Sequence, residues 1–354
     1  MTRNIEFKPE GLKHGGRILA AAKKYTIPVE QWLDLSTGLN PNGWPVPTVP
    51  ASVWQALPED DDGLQAVACE YYGCEYCLPV AGSQAAIQTL PALRSLSKVG
   101  IISPTYAEHE YNWQQAGHDV IALSLDNVEM HIKELDVLVV VNPNNPTGKL
   151  IEKDMLLEWH EKLSTRGGWL VVDEAFIDVR PETSLVTAGI LPGLIILRSM
   201  GKFFGLAGIR CGFVISDREL LQRISNKLGP WQLSGPTRYI AKQALQDKAW
   251  QESARKELIE SSKRLSDTLK DYGLLVDGST AFFQWLNHPS AEEIFEACAG
   301  QGILIRLFEK TTRSSAGLRF GLPKNEIQWQ KLKETLATLP YLNNTNKKKN
   351  VSYV

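Results

Sequence analysis

The sequence predicts an α/β fold: a large unit with a mainly parallel sheet flanked by helices, followed by a smaller α+β unit. Three observations lead there. Short unbroken apolar runs occur at residues 99–103, 137–141, 169–172, 194–197 and 213–215, and runs apolar at every position fit strands covered on both faces, as parallel strands are. From about Leu64 onward these runs alternate with helical patterns. The polar residues with chemical potential stand just after the runs, at the expected carboxyl ends of strands, where ligands of such sheets lie.

In chain order, residues 1–50 are irregular and rich in Pro and Gly, with Asn40-Pro41-Asn42-Gly43 as a turn signal, and read as an N-terminal arm. Residues 51–272 form the large domain. Within it Gly82-Ser83-Gln84 precedes an apolar helix that starts near Ala85. A long helical pattern over residues 236–272 links to a small C-terminal domain over 273–340 that closes over the sheet together with the arm. Residues 341–354, with Lys347-Lys348-Lys349, read as a polar tail with a solvated basic end.

The composition narrows the functional classes. The 354 residues suffice for two domains, and 43% hydrophobic residues build a sizeable core. A net charge of −2 gives no reason to expect nucleic acid or a membrane surface. No run reaches the roughly 18 apolar residues of a membrane span, and residues 1–10 lack an apolar signal core, so a cytoplasmic protein is expected. Of five cysteines, Cys74 and Cys77 form a CxxC with no second pair or His set to complete a zinc site. Cys69 and Cys298 read as small buried apolar groups. All five are expected as free thiols, with no metal.

The richest segment is Ser199-Met200-Gly201-Lys202-Phe203-Phe204-Gly205, followed by Arg210. A Schiff-base lysine needs loose packing and partial desolvation, and a hydroxyl with a guanidinium suits a phosphate dianion. The segment fits a lysine holding pyridoxal phosphate, or a surface lysine beside a Gly-rich turn. Asp173 ends the run Gly168-Trp169-Leu170-Val171-Val172, where a carboxylate is costly without a cationic partner. A pyridinium nitrogen is such a partner; a neighbouring helix start is another. In Asn142-Pro143-Asn144-Asn145-Pro146-Thr147-Gly148 the prolines stiffen the chain, so Asn145 either presents an amide to a ligand or sits in a plain rigid turn. Gly82-Ser83-Gln84 fits an anion site or an ordinary N-cap. Tyr106 fits a ring-stacking or a core aromatic. Arg306 and Arg319 lie on short apolar segments, which calls for an anion or a structural ion pair.

The set Asn145-Pro-Thr-Gly, Asp173-Glu-Ala, Ser199-x-x-Lys202 and Arg210 resembles the fold-type I, aspartate-aminotransferase-like pyridoxal phosphate enzymes over nearly the whole chain. The resemblance implies that Lys202 carries the cofactor, Asp173 pairs with the pyridine nitrogen and Asn145 bonds the phenolic oxygen. Gly82, Ser83, Gln84, Ser199 and Arg210 would hold the cofactor phosphate, Tyr106 would stack on the ring, and Arg319 would grip the substrate α-carboxylate. It also implies a homodimer with sites at the interface. Further motifs are similar to those of the threonine-phosphate decarboxylase subgroup of cobalamin synthesis, relatives of histidinol-phosphate aminotransferases: His14-Gly15-Gly16, residues 34–41 with Gly38, Pro104-Thr105-Tyr106-Ala107-Glu108-His109, Arg166-Gly167-Gly168-Trp169 and Leu228-Gly229-Pro230-Trp231. That likeness implies a phosphorylated amino acid substrate, with His14, Gly15 and Arg306 at its phosphate.

Two departures stand out. Phe176 occupies the position where many relatives carry a tyrosine three residues after the aspartate, and Leu57-Pro58-Glu59 replaces a Tyr-Pro motif. Both weaken an ordinary aminotransferase assignment. The expected reaction is decarboxylation of O-phospho-L-threonine to (R)-1-aminopropan-2-yl phosphate; the alternative is transamination of a phosphorylated substrate such as histidinol phosphate. A non-enzymatic regulator is a third reading, disfavoured because Lys202 is intact.

Overall fold

The structure, a computed structural model, describes residue 12, residues 14–310 and residues 316–339. The expected polar tail and its lysine triplet lie outside the described residues, as does most of the segment before His14.

Among the described residues thirteen strands occur: β1 (Leu33–Asp34), β2 (Leu78–Val80), β3 (Lys98–Ile102), β4 (Asp119–Leu123), β5 (Val137–Val141), β6 (Trp169–Asp173), β7 (Leu194–Ser199), β8 (Gly212–Ile215), β9 (Gly278–Thr280), β10 (Phe283–Asn287), β11 (Ile303–Leu304), β12 (Arg306–Phe308) and β13 (Gly317–Gly321). Seven form one sheet in the order β2-β8-β7-β6-β5-β3-β4. The apolar runs become its central strands because both faces are covered. Leu138, Val140, Leu170, Val172, Leu194 and Ile196 enter one core, while Val137, Val139, Trp169, Val171, Ile195 and Leu197 enter the other. Alternate residues of a strand point to opposite faces, so a strand buried on both sides has no polar positions to spare.

Four differences from the sequence reading have physical causes. Residues 213–215, expected as one more buried parallel strand, lie in β8, which runs antiparallel to β7. The connection over residues 200–211 holds only a short turn at Ala207–Ile209 and no crossover helix, which a parallel return ordinarily uses. The helical pattern over 236–272 is two helices, Gly235–Gln246 and Lys248–Asp271, because Asp247 leaves helical geometry and caps the second through the Trp250 N–H, 3.0 Å away. The arm is less irregular than its composition implies: it contains the helix Ile18–Tyr25, and β1 pairs parallel with β11, tying the arm to the C-terminal part. Finally, Cys69 does not sit alone among apolar groups; its sulfur lies 3.6 Å from that of Cys77.

The second sheet, β12-β13-β10-β9, is fully antiparallel. Helices Ala291–Gly300 and Glu326–Ala337 accompany it, matching the α+β expectation. Among the described residues no helix is long and apolar enough to cross a membrane.

Candidate active site

The carboxyl ends of β3, β5, β6 and β7 lie at one edge of the large sheet. Because β8 runs the other way, its start at Gly212 brings Arg210 to that same edge. β2 runs opposite to β8, so Gly82 and Ser83 emerge there too. Topology thus gathers residues from six strand ends.

Two adjoining cavities receive them. One, of about 110 Å³, is lined by Gly82, Ser83, Gln84, Tyr106, Asn145, Asp173, Phe176, Ser199, Lys202 and Arg210, among others. The other, of about 330 Å³, is bordered by His14, Gly15, Arg306, Arg319 and again Tyr106, Asn145 and Lys202. The three shared residues mark the junction. Gly38 stands behind the larger cavity: with φ +61°, it leaves only 3.5 Å between an added Cβ and the Arg319 guanidinium carbon. A larger cleft of about 620 Å³, bordered by Tyr76 and Trp231, holds no comparable convergence, so size does not select the site.

Lys202 sits in the loop after β7. The arm fixes this loop: the Asn40 N–H donates to the Lys202 carbonyl at 3.0 Å, and the Asn40 amide donates to the Phe203 carbonyl at 3.0 Å. Gly205 (φ +64°) permits the contact, since a Cβ there would come within 2.6 Å of Gly43. Desolvation by the surrounding protein, then the Arg319 charge, bring the Lys202 amine down from 10.5 to about 8; Asp173 opposes them and Arg210 adds to them.

Asp173 ends β6 and is 3% exposed. One carboxylate oxygen lies 3.0 Å from His109 Nε2, and the other accepts the Ala175 N–H at 3.1 Å. His109, itself buried, was quoted in the sequence only as part of a motif. Its ring meets that of Tyr106 edge-on, with the centroids 6.2 Å apart.

The three asparagines of the loop after β5 divide their work. Asn142 exchanges hydrogen bonds with the Ile151 backbone, and Asn144 binds Thr105, Thr147 and the Pro104 carbonyl. Asn145 faces the cavities instead. Its Oδ1 accepts from Arg319 Nη1 at 2.5 Å, which orients the amide and leaves its N–H₂ to donate to a ligand.

At the other end, Gly82 (φ +74°, ψ 157°) starts the helix Ser83–Thr89. An added Cβ would lie 2.9 Å from Arg210 Nη2, so glycine gives the guanidinium room beside the backbone N–H groups. A polar chain also crosses the site. The Tyr106 hydroxyl donates to Gln84 Oε1 at 3.1 Å, Gln84 Nε2 donates to Glu108 at 2.7 Å, and Glu108 holds His14 Nε2 at 2.8 Å. Glu108 was not singled out in the sequence; nothing in one chain's pattern shows that a helix-start glutamate reaches an arm 94 residues away.

Arg306 and Arg319 are register partners on β12 and β13. Directly opposed like charges destabilise a sheet unless an anion joins them. Arg319 is 5% exposed. Besides Asn145 it donates to the Ser36 carbonyl at 2.5 Å, and its buried Nε has no partner among the described residues. Among those residues no carboxylate is in ion-pair contact with it. Burial, then Arg306, bring it down to about 9.

These features fit pyridoxal phosphate: a lysine whose amine titrates near 8, a buried carboxylate already oriented by a histidine, and a glycine turn beside an arginine. Phe176, packed edge-on against Phe283 at 5.3 Å, brings no hydroxyl to the small cavity.

Comparison with known proteins agrees. The family model described as aminotransferase class I and II matches residues 33–327. A threonine-phosphate decarboxylase from Pseudomonas aeruginosa is 50% identical over 92% of this chain and 97% of its own length. One from a Sinorhizobium species is 37% identical over 92% and 98%. The crystal structure of a histidinol-phosphate aminotransferase from Clostridium acetobutylicum matches with a TM-score of 0.77 and 26% identity, covering 88% of this chain and 99% of that one.

Proposed function

The chain belongs to the class I and II aminotransferase family, and from that premise we propose that it decarboxylates O-phospho-L-threonine to (R)-1-aminopropan-2-yl phosphate, a precursor for cobalamin. The register pair Arg306 and Arg319, which lines one cavity together with Lys202, carries this reading. It suits a small substrate with two anionic groups. The relatives named for this reaction support it.

In this proposal Lys202 Nζ is the amine that would hold pyridoxal phosphate, since it is buried and brought down to about 8. Gly82, Ser83, Gln84, Ser199 and Arg210 hold the cofactor phosphate, and Tyr106 covers the ring. Asp173, braced by His109, keeps a proton on the ring nitrogen. Asn145 donates to the phenolic oxygen while Arg319 holds its other end. Bound in this way, the cofactor supplies an electron sink for the pair left when a bond to Cα breaks. The residues that orient the substrate's anionic groups would choose which bond to Cα breaks. Arg319 grips the carboxylate; Arg306, His14 and Gly15 grip the phosphate. Together they would fix the Cα–carboxylate bond as the one to break. Carbon dioxide leaves, and Lys202 Nζ delivers a proton to Cα.

We further propose a cytoplasmic homodimer with its sites at the interface. Trp54 and Leu57, 67% and 68% exposed on one chain, are apolar surface for a partner.

The test is incubation of the purified enzyme with O-phospho-L-threonine and no keto acid. Release of carbon dioxide with an amine phosphate is expected. No carbon dioxide, with turnover that depends on 2-oxoglutarate, would replace the proposal by transamination, the activity named for the Clostridium structure.

A further inference from the structure

Away from the active site, the helix Leu64–Tyr72 ends at Gly73, whose left-handed φ of +71° reverses the chain. The N–H groups of Gly73 and Cys74 both return to the Cys69 carbonyl, at 2.9 and 3.1 Å. That cap folds Cys74 and Cys77 back over Cys69, and the three sulfur atoms all lie within 4.8 Å of one another. Cys69 Sγ and Cys77 Sγ are 3.6 Å apart. Four-coordinate zinc, with Zn–S of about 2.3 Å, requires sulfurs about 3.8 Å apart. The cluster is therefore near the required spacing before any ion enters.

Simple burial does not account for this arrangement. Cys77 belongs to the large apolar core and Cys69 and Cys74 pack against it, but apolar packing alone does not turn three thiols toward one another. Among the described residues their hydrogen-bonding partners beyond each other are the Glu75 and Gln65 carbonyls, at 3.6 and 3.7 Å. The shell around them is built: the Gln65 amide donates to the Cys77 carbonyl at 2.7 Å, fixing the backbone of one candidate ligand. Cys77 is fully buried, whereas Cys69 and Cys74 are half-buried and leave an entry path.

We propose that Cys69, Cys74 and Cys77 form a binding site for a thiophilic divalent cation, Zn²⁺, with water as the fourth ligand. Soft thiolates select such ions over magnesium or calcium. Binding displaces the thiol protons to solvent, and the metal's charge offsets two of the three thiolate charges. The ion would clamp the end of the helix to the start of β2. Because β2 leads within a few residues to Gly82, the clamp would also steady the phosphate-binding end of the active site without touching the chemistry.

The experiment uses reduced, cofactor-loaded enzyme equilibrated with Zn²⁺, desalted, and assayed for metal by elemental analysis. About one zinc per chain is expected, with Cys69, Cys74 and Cys77 protected together from alkylation. Co²⁺ in its place should show thiolate-to-metal charge-transfer absorption in a difference spectrum against Cys74→Ser. Cys74→Ser, at a half-buried turn position, should keep its cofactor and bind zinc at least about tenfold more weakly. Less than about a tenth of a zinc per chain in the wild type, or equal zinc in wild type, Cys69→Ser and Cys74→Ser, would overturn the proposal. So would thiols that alkylate independently in the presence of zinc.

Discussion

Lys202 offers the most quantitative prediction. Its amine is brought from 10.5 to about 8, chiefly by desolvation and then by Arg319. A depression of that size makes the neutral, nucleophilic form roughly 300-fold more abundant at pH 7 than in an ordinary lysine, roughly a tenth of the molecules instead of about three in ten thousand. The assay is competitive acetylation of the cofactor-free protein with trace acetic anhydride across pH 6–11, reading the Lys202 peptide against surface-lysine peptides by mass spectrometry. Labelling of Lys202 should rise about tenfold per pH unit and level off near pH 8. Arg319→Leu should move that midpoint up, and Asp173→Asn should move it down. The unfolded chain binds more protons between about 8 and 10.5, so the cofactor-free protein should carry the full destabilising cost below pH 8 and lose it as pH rises through that window. A Lys202 midpoint at or above 10 would refute the desolvation argument.

Other outcomes follow from the same geometry. Arg198 is buried between Glu174 and Asp178, at 3.1 and 2.8 Å; Arg198→Met should cost about 3–5 kcal/mol in urea unfolding, and adding Glu174→Gln with Asp178→Asn should restore much of it. Gly82→Ala places a Cβ 2.9 Å from Arg210 in a backbone region nearly exclusive to glycine. Dialysis should show cofactor retention roughly tenfold weaker or worse, with helix content by circular dichroism unchanged. Arg306→Ala should lower kcat/KM for O-phospho-L-threonine by roughly 10- to 100-fold and that for L-threonine far less; equal losses would place the phosphate elsewhere.

Much of the site was legible because strand ends are legible. A run such as Val137–Val141 is buried on both faces, so its polar successor must lie at the sheet edge, and Asn145, Asp173 and Lys202 each follow such a run. Orientation was less legible, since β8 owes its reversal to a connection without a helix. β2 and β4 escaped notice because Pro79 and the half-exposed β4 positions break the apolar signal. Asp247 was hidden inside a helical periodicity that continues on both sides of it. His109, Glu108 and the Cys69 sulfur act through tertiary contacts that one chain's spacing does not encode. Each becomes visible only when a helix face or a glycine cap is set in space.

The central claim is that the bond from Cα to the carboxylate, not the Cα–H bond, is the one that breaks. The most direct measurement uses O-phospho-L-threonine carrying deuterium at Cα. Decarboxylation predicts an amine phosphate that keeps the deuterium and gains one solvent proton at the same carbon, with carbon dioxide in equal amount. Loss of the deuterium to solvent, with the carboxylate retained in the product, would contradict the account.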